Sequence, residues 1–329
     1  MPLQNHCTAF GMEISSDLSF PELPTSPAAS EVSVWIQAGD HEHWPEIAPS
    51  PHSTPTLQIG PGDWRLELEG IGWFRAAEGQ RLEWQRWDDS VSDRDLRTFL
   101  VTSGLGALAI QRGALVLHGT ALERCGEAVL LLGHPAIGKS TLAWCLLEQG
   151  WRLLSSELTV VDDQGMVLPG LQQLKLWHDA AVTLELAWQQ LPPVRRGLKR
   201  YALLPPDLAC CEHSVPLRCI YGLRRTKEGS EGDGEPAPAD VVASSSLGQK
   251  EALLSLRNHA FHPRVYRGMG AESQLFLQAG ALARGAPMHW IRVPDGVETM
   301  RAGLAEVDLL DPGSLKPQNG TSKEGGLDD

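Results

Sequence analysis

The chain has 329 residues, 42% of them hydrophobic and 21% charged, a composition typical of a globular protein with a substantial core. At about 150 residues per domain, this length predicts about two domains. Its 28 Lys and Arg residues against 41 Asp and Glu residues give a formal net charge of −13. This acidic balance disfavours a nucleic-acid-binding surface and binding to anionic membranes, because both need clustered cations.

The sequence shows neither a membrane span nor a secretory signal. Its apolar runs fall short of the roughly 18 residues that a transmembrane helix needs, and residues 1–20 lack a basic flank followed by an apolar stretch. The six cysteines have no spacing typical of a disulfide framework or a zinc site. We therefore expect reduced thiols, no membrane contact and a cytoplasmic location.

Residues 1–91 are predicted to form a small β-rich N-terminal region. Residues 33–36, 64–68 and 82–87 alternate between apolar and polar side chains, the pattern of half-buried strands. Proline-rich stretches separate these segments, and proline cannot donate a hydrogen bond inside a sheet. We therefore expect short strands joined by irregular loops.

Residues 92–310 are predicted to form a second, α/β domain. Its first helix begins at Ser92 and ends near Gly113, and Asp93 and Asp95 in its first turn suit the positive end of a helix. The other elements predicted in this domain are strands at 114–118, 128–132, 158–161 and 289–293 and helices at 251–261 and 271–284.

Two segments are not expected to pack. Residues 227–249 are rich in Glu, Gly, Ser, Pro and Ala, and this composition predicts a flexible surface insertion within the second domain. Residues 311–329 form a polar C-terminal stretch that we expect to be a disordered tail.

A phosphate-binding loop is predicted at residues 133–140, which read G-H-P-A-I-G-K-S and match G-x-x-x-x-G-K-[ST]. The context fits the pattern, because the apolar strand at 128–132 precedes the loop and a helix at 140–149, stopped by Gly150, follows it. The alternative is a chance glycine- and serine-rich turn between a strand and a helix. With strand, motif and helix in order, we favour the phosphate loop.

The residue types in this loop suit a nucleoside triphosphate and Mg²⁺. Gly133 and Gly138 let the backbone curl so that amide N–H groups converge on phosphate oxygens. Lys139 would reach the β- and γ-phosphates, and the Ser140 hydroxyl would ligate Mg²⁺. Pro135 removes one amide donor from the loop. The predicted nucleotide-binding residues are Gly133, His134, Pro135, Ala136, Ile137, Gly138, Lys139, Ser140 and Thr141.

The residues around the loop resemble a known family. The stretch L-H-G-T-A-L at 117–122, Gly126, the loop itself and G-W-R-L-L at 150–154 are similar to the C-terminal catalytic domain of HPr kinase/phosphorylase. More closely, they resemble the HPr-kinase-like proteins of bacterial peptide-modification clusters, including lasso-peptide kinases. The resemblance implies the P-loop fold of that family, bound ATP, a homo-oligomer, and a His118 close to the transferred phosphoryl group. The alternative for His118 is a satisfied histidine at the end of a strand.

The family usually places two adjacent aspartates after its glycine-aromatic-x-leucine stretch, where they bind metal and act as the general base. Ser156 and Glu157 stand at these positions here. Glu157 can still serve as ligand or base, whereas Ser156 offers a hydroxyl without charge. Asp162 and Asp163 are interpreted as turn residues at the far end of a strand. The resemblance therefore implies His118, Glu157 and Lys139 as catalytic residues, and Ser140 and Glu157 as metal ligands.

Two further segments bear on the activity. Residues 169–177 lack the glycine pattern that the bifunctional enzymes use for phosphorolysis, so phosphorylase activity is not expected. Arg195, Arg196, Lys199 and Arg200 form a locally basic stretch. It is either a solvated loop or a site that neutralises phosphate or a peptide carboxylate.

The favoured hypothesis is a Mg-ATP-dependent kinase that phosphorylates a serine or threonine hydroxyl of a protein or peptide acceptor. The alternative is a catalytically impaired nucleotide-binding protein that regulates or scaffolds a partner, suggested by Ser156 and Glu157 in place of two aspartates. A small-molecule kinase stays open, because nothing in the sequence marks an acceptor pocket.

Overall fold

A computed structural model describes residues 5–26, 31–48, 50–195, 198, 200–204, 208–225, 243–293 and 296–317. The N-terminal strands are β1 (Asn5–Ala9), β2 (Met12–Ser16), β3 (Val34–Ala38), β4 (Leu57–Gly60), β5 (Asp63–Leu68), β6 (Gly72–Ala77) and β7 (Arg81–Arg86). They form one sheet in the order β1-β2-β3-β7-β6-β5-β4. Strands β3, β5 and β7 confirm the three strands predicted from alternation in this region.

The inward face of the N-terminal sheet carries the apolar half of that alternation. Val34 and Ile36 on β3, Phe74 on β6 and Leu82 on β7 are all buried. The face packs against two helices that follow directly in the sequence, α1 (Asp93–Phe99) and α2 (Leu105–Gln111). The sheet therefore does not stand alone, because the chain that follows it covers its apolar side.

The capping signal at the start of α1 is confirmed. The Ser92 hydroxyl accepts the N–H of Asp95 at 3.3 Å, and the Asp95 carboxylate accepts the N–H of Ser92 at 3.4 Å. The single helix predicted to run to Gly113 is instead divided, because a π-helical turn at Leu100–Gly104 separates α1 from α2. Gly104 lies in this turn, and a Cβ there would come within 2.8 Å of the Leu82 side chain.

The later strands are β8 (Leu115–Leu117), β9 (Gly119–Arg124), β10 (Glu127–Leu132), β11 (Arg152–Ser155), β12 (Thr159–Val161), β13 (Met166–Leu168), β14 (Leu174–Trp177), β15 (Arg200–Leu203), β16 (Val215–Arg225), β17 (Ala243–Ser246), β18 (Met288–Val293) and β19 (Lys316–Pro317). Ten of them form the central sheet, with the path β11-β9-β10-β16-β13-β12-β8 and with β18, β17 and β19 extending from β16. Strands β14 and β15 pair separately. Strand β10 runs parallel to β16 and antiparallel to β9, so the predicted buried strand lies inside the sheet.

The remaining helices are α3 (Lys139–Glu148), α4 (His178–Thr183), α5 (Gln249–Asn258), α6 (Pro263–Gly268), α7 (Glu272–Gly285) and α8 (Val297–Ala305). Apolar side chains gather in two buried clusters. One joins the N-terminal sheet to α1, α2, β8 and α7. The other lies between the central sheet, α3 and α8. The result is a mixed α/β fold, as predicted, and within the described ranges no helix combines the length and apolarity needed to cross a bilayer.

Two predictions about unpacked segments are wrong in part. In the predicted flexible insertion, residues 243–246 form β17, which pairs antiparallel with β18, and α5 begins at Gln249. In the predicted tail, Leu315 is buried in the second apolar cluster and Lys316–Pro317 pairs with β17. Backbone pairing orders both segments, and composition does not reveal it. Residues 227–242 and 318–329 lie outside the described residues.

Candidate functional site

The predicted phosphate loop connects β10 to the N-terminus of α3. Its backbone turns sharply, with Ala136 at φ +63° and Gly138 at φ +109°. A Cβ on Gly138 would meet nothing within 4 Å, so glycine is needed there for its conformation and not for space. As at any helix start, the first N–H groups of α3 have no acceptor within the helix itself.

Residues 135–141 line a cleft of about 740 Å³, together with His118 and Glu157. The structure therefore brings the predicted catalytic residues and most of the predicted nucleotide-binding residues into one place. Small-ligand sites span about 300–1,000 Å³, so a nucleotide would fit by volume. Gly133 and His134 do not line the cleft, and their carbonyl groups accept hydrogen bonds.

Lys139 provides those hydrogen bonds. Its Nζ donates to the Gly133 carbonyl at 2.6 Å and to the His134 carbonyl at 3.1 Å, and the residue is 9% exposed. Burial lowers the pKa of Lys139 to about 8, with Arg200 lowering it further and Glu157 opposing both. The ammonium group is thus held across the loop and keeps its proton at neutral pH.

Glu157 occupies a strained turn beside the loop. Its φ is +63°, and the Leu158 N–H donates to the Ser156 carbonyl at 2.7 Å, which makes Glu157 the centre of a γ-turn. Its carboxylate lies 2.5 Å from Lys175 Nζ and 3.3 Å from Arg200 Nη2. Burial alone would raise the pKa of Glu157, but Lys175 and Arg200 outweigh it and the pKa is lowered. Glu157 is therefore an ionised carboxylate at neutral pH.

Ser156 does not take the role that the sequence left open for it. It is buried, does not line the cleft, and donates its hydroxyl hydrogen to the Gln173 carbonyl. The γ-turn thus places Ser156 and Glu157 in different surroundings, and of the two only Glu157 lines the cleft. Asp162 and Asp163 lie in the turn between β12 and β13, as predicted, and Asp162 accepts the Gln164 and Met166 N–H groups there.

His118 lies between β8 and β9 and lines the cleft. Its N–H donates to the His259 carbonyl at 2.7 Å, which fixes the backbone at this point. Burial, with Lys139 as the next cause, lowers the pKa of His118 to about 4, although Glu157 opposes the shift. The imidazole is therefore neutral at physiological pH and can donate one hydrogen bond and accept another, but it brings no positive charge.

Sequence reasoning missed Lys175, a buried residue of β14 that lines the cleft and holds Glu157. The available signal was the stretch L-K-L-W, in which a lysine stands between two apolar residues. In a strand, successive side chains point to opposite faces, so this lysine is expected on the face opposite its two apolar neighbours, together with other polar groups. Arg200 also lines the cleft, so the solvated-loop reading of the basic stretch is wrong at this residue. Arg195 is exposed and outside the cleft, and Arg196 and Lys199 lie outside the described residues.

The donor set fits a metal shared with phosphate better than a metal held by protein alone. The described ranges contain no group of three or more His, Cys, Asp or Glu side chains arranged for a metal. Ser140 and Glu157 both line the cleft and offer one oxygen-bearing side chain each. Mg²⁺ commonly takes one or two protein ligands plus phosphate oxygens and water, which this arrangement suits.

No protein-family model and no curated protein sequence matches the chain. Among solved structures, the HPr(Ser) kinase/phosphatase from Coxiella burnetii is matched at 12% sequence identity. The match covers 58% of this chain and 93% of that chain, with a TM-score of 0.26. A TM-score this low carries no conclusion about the fold or the activity of this chain.

Proposed function

We propose that this protein is a Mg-ATP-dependent kinase that transfers the γ-phosphoryl group to a serine or threonine hydroxyl of a protein or peptide. The observation that carries the proposal is a single cleft that holds residues 135–141, with Lys139 among them, and the ionised Glu157. Phosphoryl transfer depends mainly on positioning and on charge stabilisation around the phosphates. A loop of amide donors and an ionised carboxylate that line the same cleft support both.

The loop side of the cleft would hold the nucleotide. Amide groups at the start of α3 and the Lys139 ammonium would bind the phosphates, and the Ser140 hydroxyl would ligate Mg²⁺. Bound Mg²⁺ supplies charge neutralisation at the phosphate oxygens. Leu223, Val297 and Met300 give the cleft an apolar wall, which suits the base and ribose.

The cleft residues outside the loop would serve the acceptor. Glu157 would share the metal or take the proton of the attacking hydroxyl. His118, being neutral, would orient the hydroxyl or the transferred group by a hydrogen bond. Arg200 would stabilise the negative charge that develops in transfer.

A second candidate function is a nucleotide-binding regulator or scaffold without transfer. The observation that favours it is the double ion pair of Glu157 with Lys175 and Arg200, which occupies both carboxylate oxygens. A carboxylate so neutralised is a weak base. The two candidates agree on nucleotide binding and differ in whether Glu157 acts on an acceptor.

Lys139→Ala tests whether residues 133–140 form a nucleotide-binding loop or a chance turn. Hydrogen bonds to charged groups contribute about 1.5–3 kcal/mol, so we expect Mg-ATP affinity to fall by roughly 10- to 150-fold. Calorimetric titration of Mg-ATP measures this directly, and transfer of labelled γ-phosphate to a library of Ser/Thr peptides measures the activity. Lys250→Ala is the matched control, because Lys250 is exposed on α5 and outside the cleft. No heat with the unaltered protein would overturn both candidates.

A further inference from the structure

A second, smaller cavity of about 160 Å³ borders the cleft. Its wall includes Glu22, Arg94 and Arg97 of α1, Gln173, and Lys175. Lys175 lines both this cavity and the cleft, so the two are neighbours that share this residue. The volume lies well below the roughly 300 Å³ at which small-ligand sites begin, so the cavity suits a single functional group and not a nucleotide.

Positive charge predominates in this small cavity although the chain as a whole is acidic. Three cationic side chains and one carboxylate, Glu22, line it. The buried Glu22 accepts the Arg97 Nε–H at 3.2 Å, and Lys175 is paired with Glu157 of the cleft at 2.5 Å. The bond to Glu22 uses one of the five guanidinium donors of Arg97. Arg94 is exposed, and within the described part of the chain its side chain has no ion pair or hydrogen bond. The cavity therefore attracts an anion.

Gln173 supplies an independent observation. Its side-chain Nε2 is buried without a hydrogen-bond partner among the described residues, and the residue is 5% exposed. Buried polar atoms are nearly always paired, because an unpaired donor lowers the stability of the fold. A donor left unpaired in a wall of cations indicates an acceptor oxygen that arrives with a ligand.

We propose that the small cavity binds a carboxylate group of the acceptor molecule. The inference rests on the proposed function, since it takes the molecule held here to be the one that presents its hydroxyl in the cleft. Guanidinium and amide N–H groups together match the two oxygens of a carboxylate. Lys175 would then be shared between the ligand's carboxylate and that of Glu157. Acceptor binding would thus draw Lys175 away from Glu157 and leave Glu157 a stronger base.

Acetate is the probe. The measurement is the melting temperature in acetate compared with that in chloride at the same ionic strength. We expect acetate to raise the melting temperature of the unaltered protein and of Arg264→Gln, whose arginine is exposed and lines neither cavity. In Arg94→Gln and Gln173→Met the apparent acetate affinity should fall at least tenfold. Without acetate, Gln173→Met should melt at the same temperature or higher, because the unpaired donor is gone. An equal acetate effect in all four proteins is a general salt effect and overturns the proposal.

Mg-ATP titration of the unaltered protein distinguishes a failure of the carboxylate-site proposal from a failure of the kinase proposal. If Mg-ATP binds and acetate acts equally on all four proteins, the kinase proposal stands and the carboxylate site is overturned. If acetate acts through Arg94 and Gln173 while Mg-ATP gives no heat, the carboxylate site is supported and the kinase is overturned. If Gln173→Met fails to fold, Arg94→Gln alone decides, since its side chain is exposed.

Discussion

Glu157 combines backbone strain with an ionised carboxylate held between two cations. A left-handed φ of +63° costs a residue with a Cβ about 1–3 kcal/mol and persists only where the surroundings enforce it. The enforcing contacts come from Lys175 on β14 and Arg200 on β15, which are 18 and 43 residues away in the chain. The pairing of β14 with β15 therefore holds the carboxylate at the cleft.

Glu157→Gln tests whether this carboxylate acts in transfer. Removing a general base typically lowers a rate by about 10²–10⁴-fold, and we expect a loss of this size in labelled phosphate transfer. Mg-ATP affinity separates the two proposed roles: it should fall if Glu157 ligates Mg²⁺, and it should hold or rise if Glu157 acts only as the base, because the change then only removes a negative charge near the phosphates. Glu185→Gln is the control, since Glu185 also has a positive φ, of +56°, but is exposed and outside the cleft. Unchanged transfer in Glu157→Gln would favour another base.

Lys139 makes nucleotide binding depend on pH. Its pKa of about 8 lies within reach of ordinary buffers, so the ammonium group loses its proton as the pH rises through 8. Binding that needs the charged form should weaken about tenfold for each pH unit above 8 and stay level below it. Calorimetric titration with Mg-ATP at several pH values from about 7.5 to about 9.5 would show this fall in affinity. In Lys139→Arg the guanidinium does not titrate in this range, and the affinity should be flat.

At the scale of elements, the sequence predicted the strands, helices and loops whose own residues carry a local pattern. The apolar run at 128–132 became β10, Ser92 capped α1, and the glycine motif linked β10 to α3. Elements held by distant partners were missed, because their residues carry no periodic signal. Strand β17 is held by backbone pairing to β18, and β14 brings a lysine into a buried position. The loop side of the site was therefore predictable, and the cations around Glu157 were largely not.

Gly138→Ala tests whether the shape of the loop is needed for binding. A Cβ at φ +109° is strained although the space around it is open, so the loop must change its path or the fold must bear the strain. We expect Mg-ATP binding to weaken at least tenfold and the free energy of unfolding to fall by about 1–2 kcal/mol. Gly285→Ala, at the end of α7 with equally open surroundings, should lose neither. Normal binding by Gly138→Ala would argue against a fixed amide cradle.

At the scale of the whole molecule, the apolar core does not break where the sequence predicts a boundary between residues 1–91 and 92–310. One cluster contains Val34, Phe74 and Leu82 from the N-terminal sheet and also Leu108 and Leu115 from the chain that follows. A shared core couples the stabilities of the two parts. The site depends on this coupling, because the small cavity takes Glu22 from one part and Arg97 from the other.

Leu82→Ala tests this coupling. Leu82 is fully buried, and Gly104 approaches it so closely that a Cβ there would lie 2.8 Å away, so truncation opens a cavity between the sheet and the helices. We expect the free energy of unfolding to fall by about 2–5 kcal/mol. With a shared core, hydrogen exchange should quicken in β7, α2 and β8 together, and unfolding should stay a single transition. Leu277→Ala, at a residue 70% exposed, should change the stability by less than about 0.5 kcal/mol. If the N-terminal sheet instead unfolds in a separate, earlier transition, the boundary at residue 91 divides two independent units. Nucleotide binding should then survive that earlier transition.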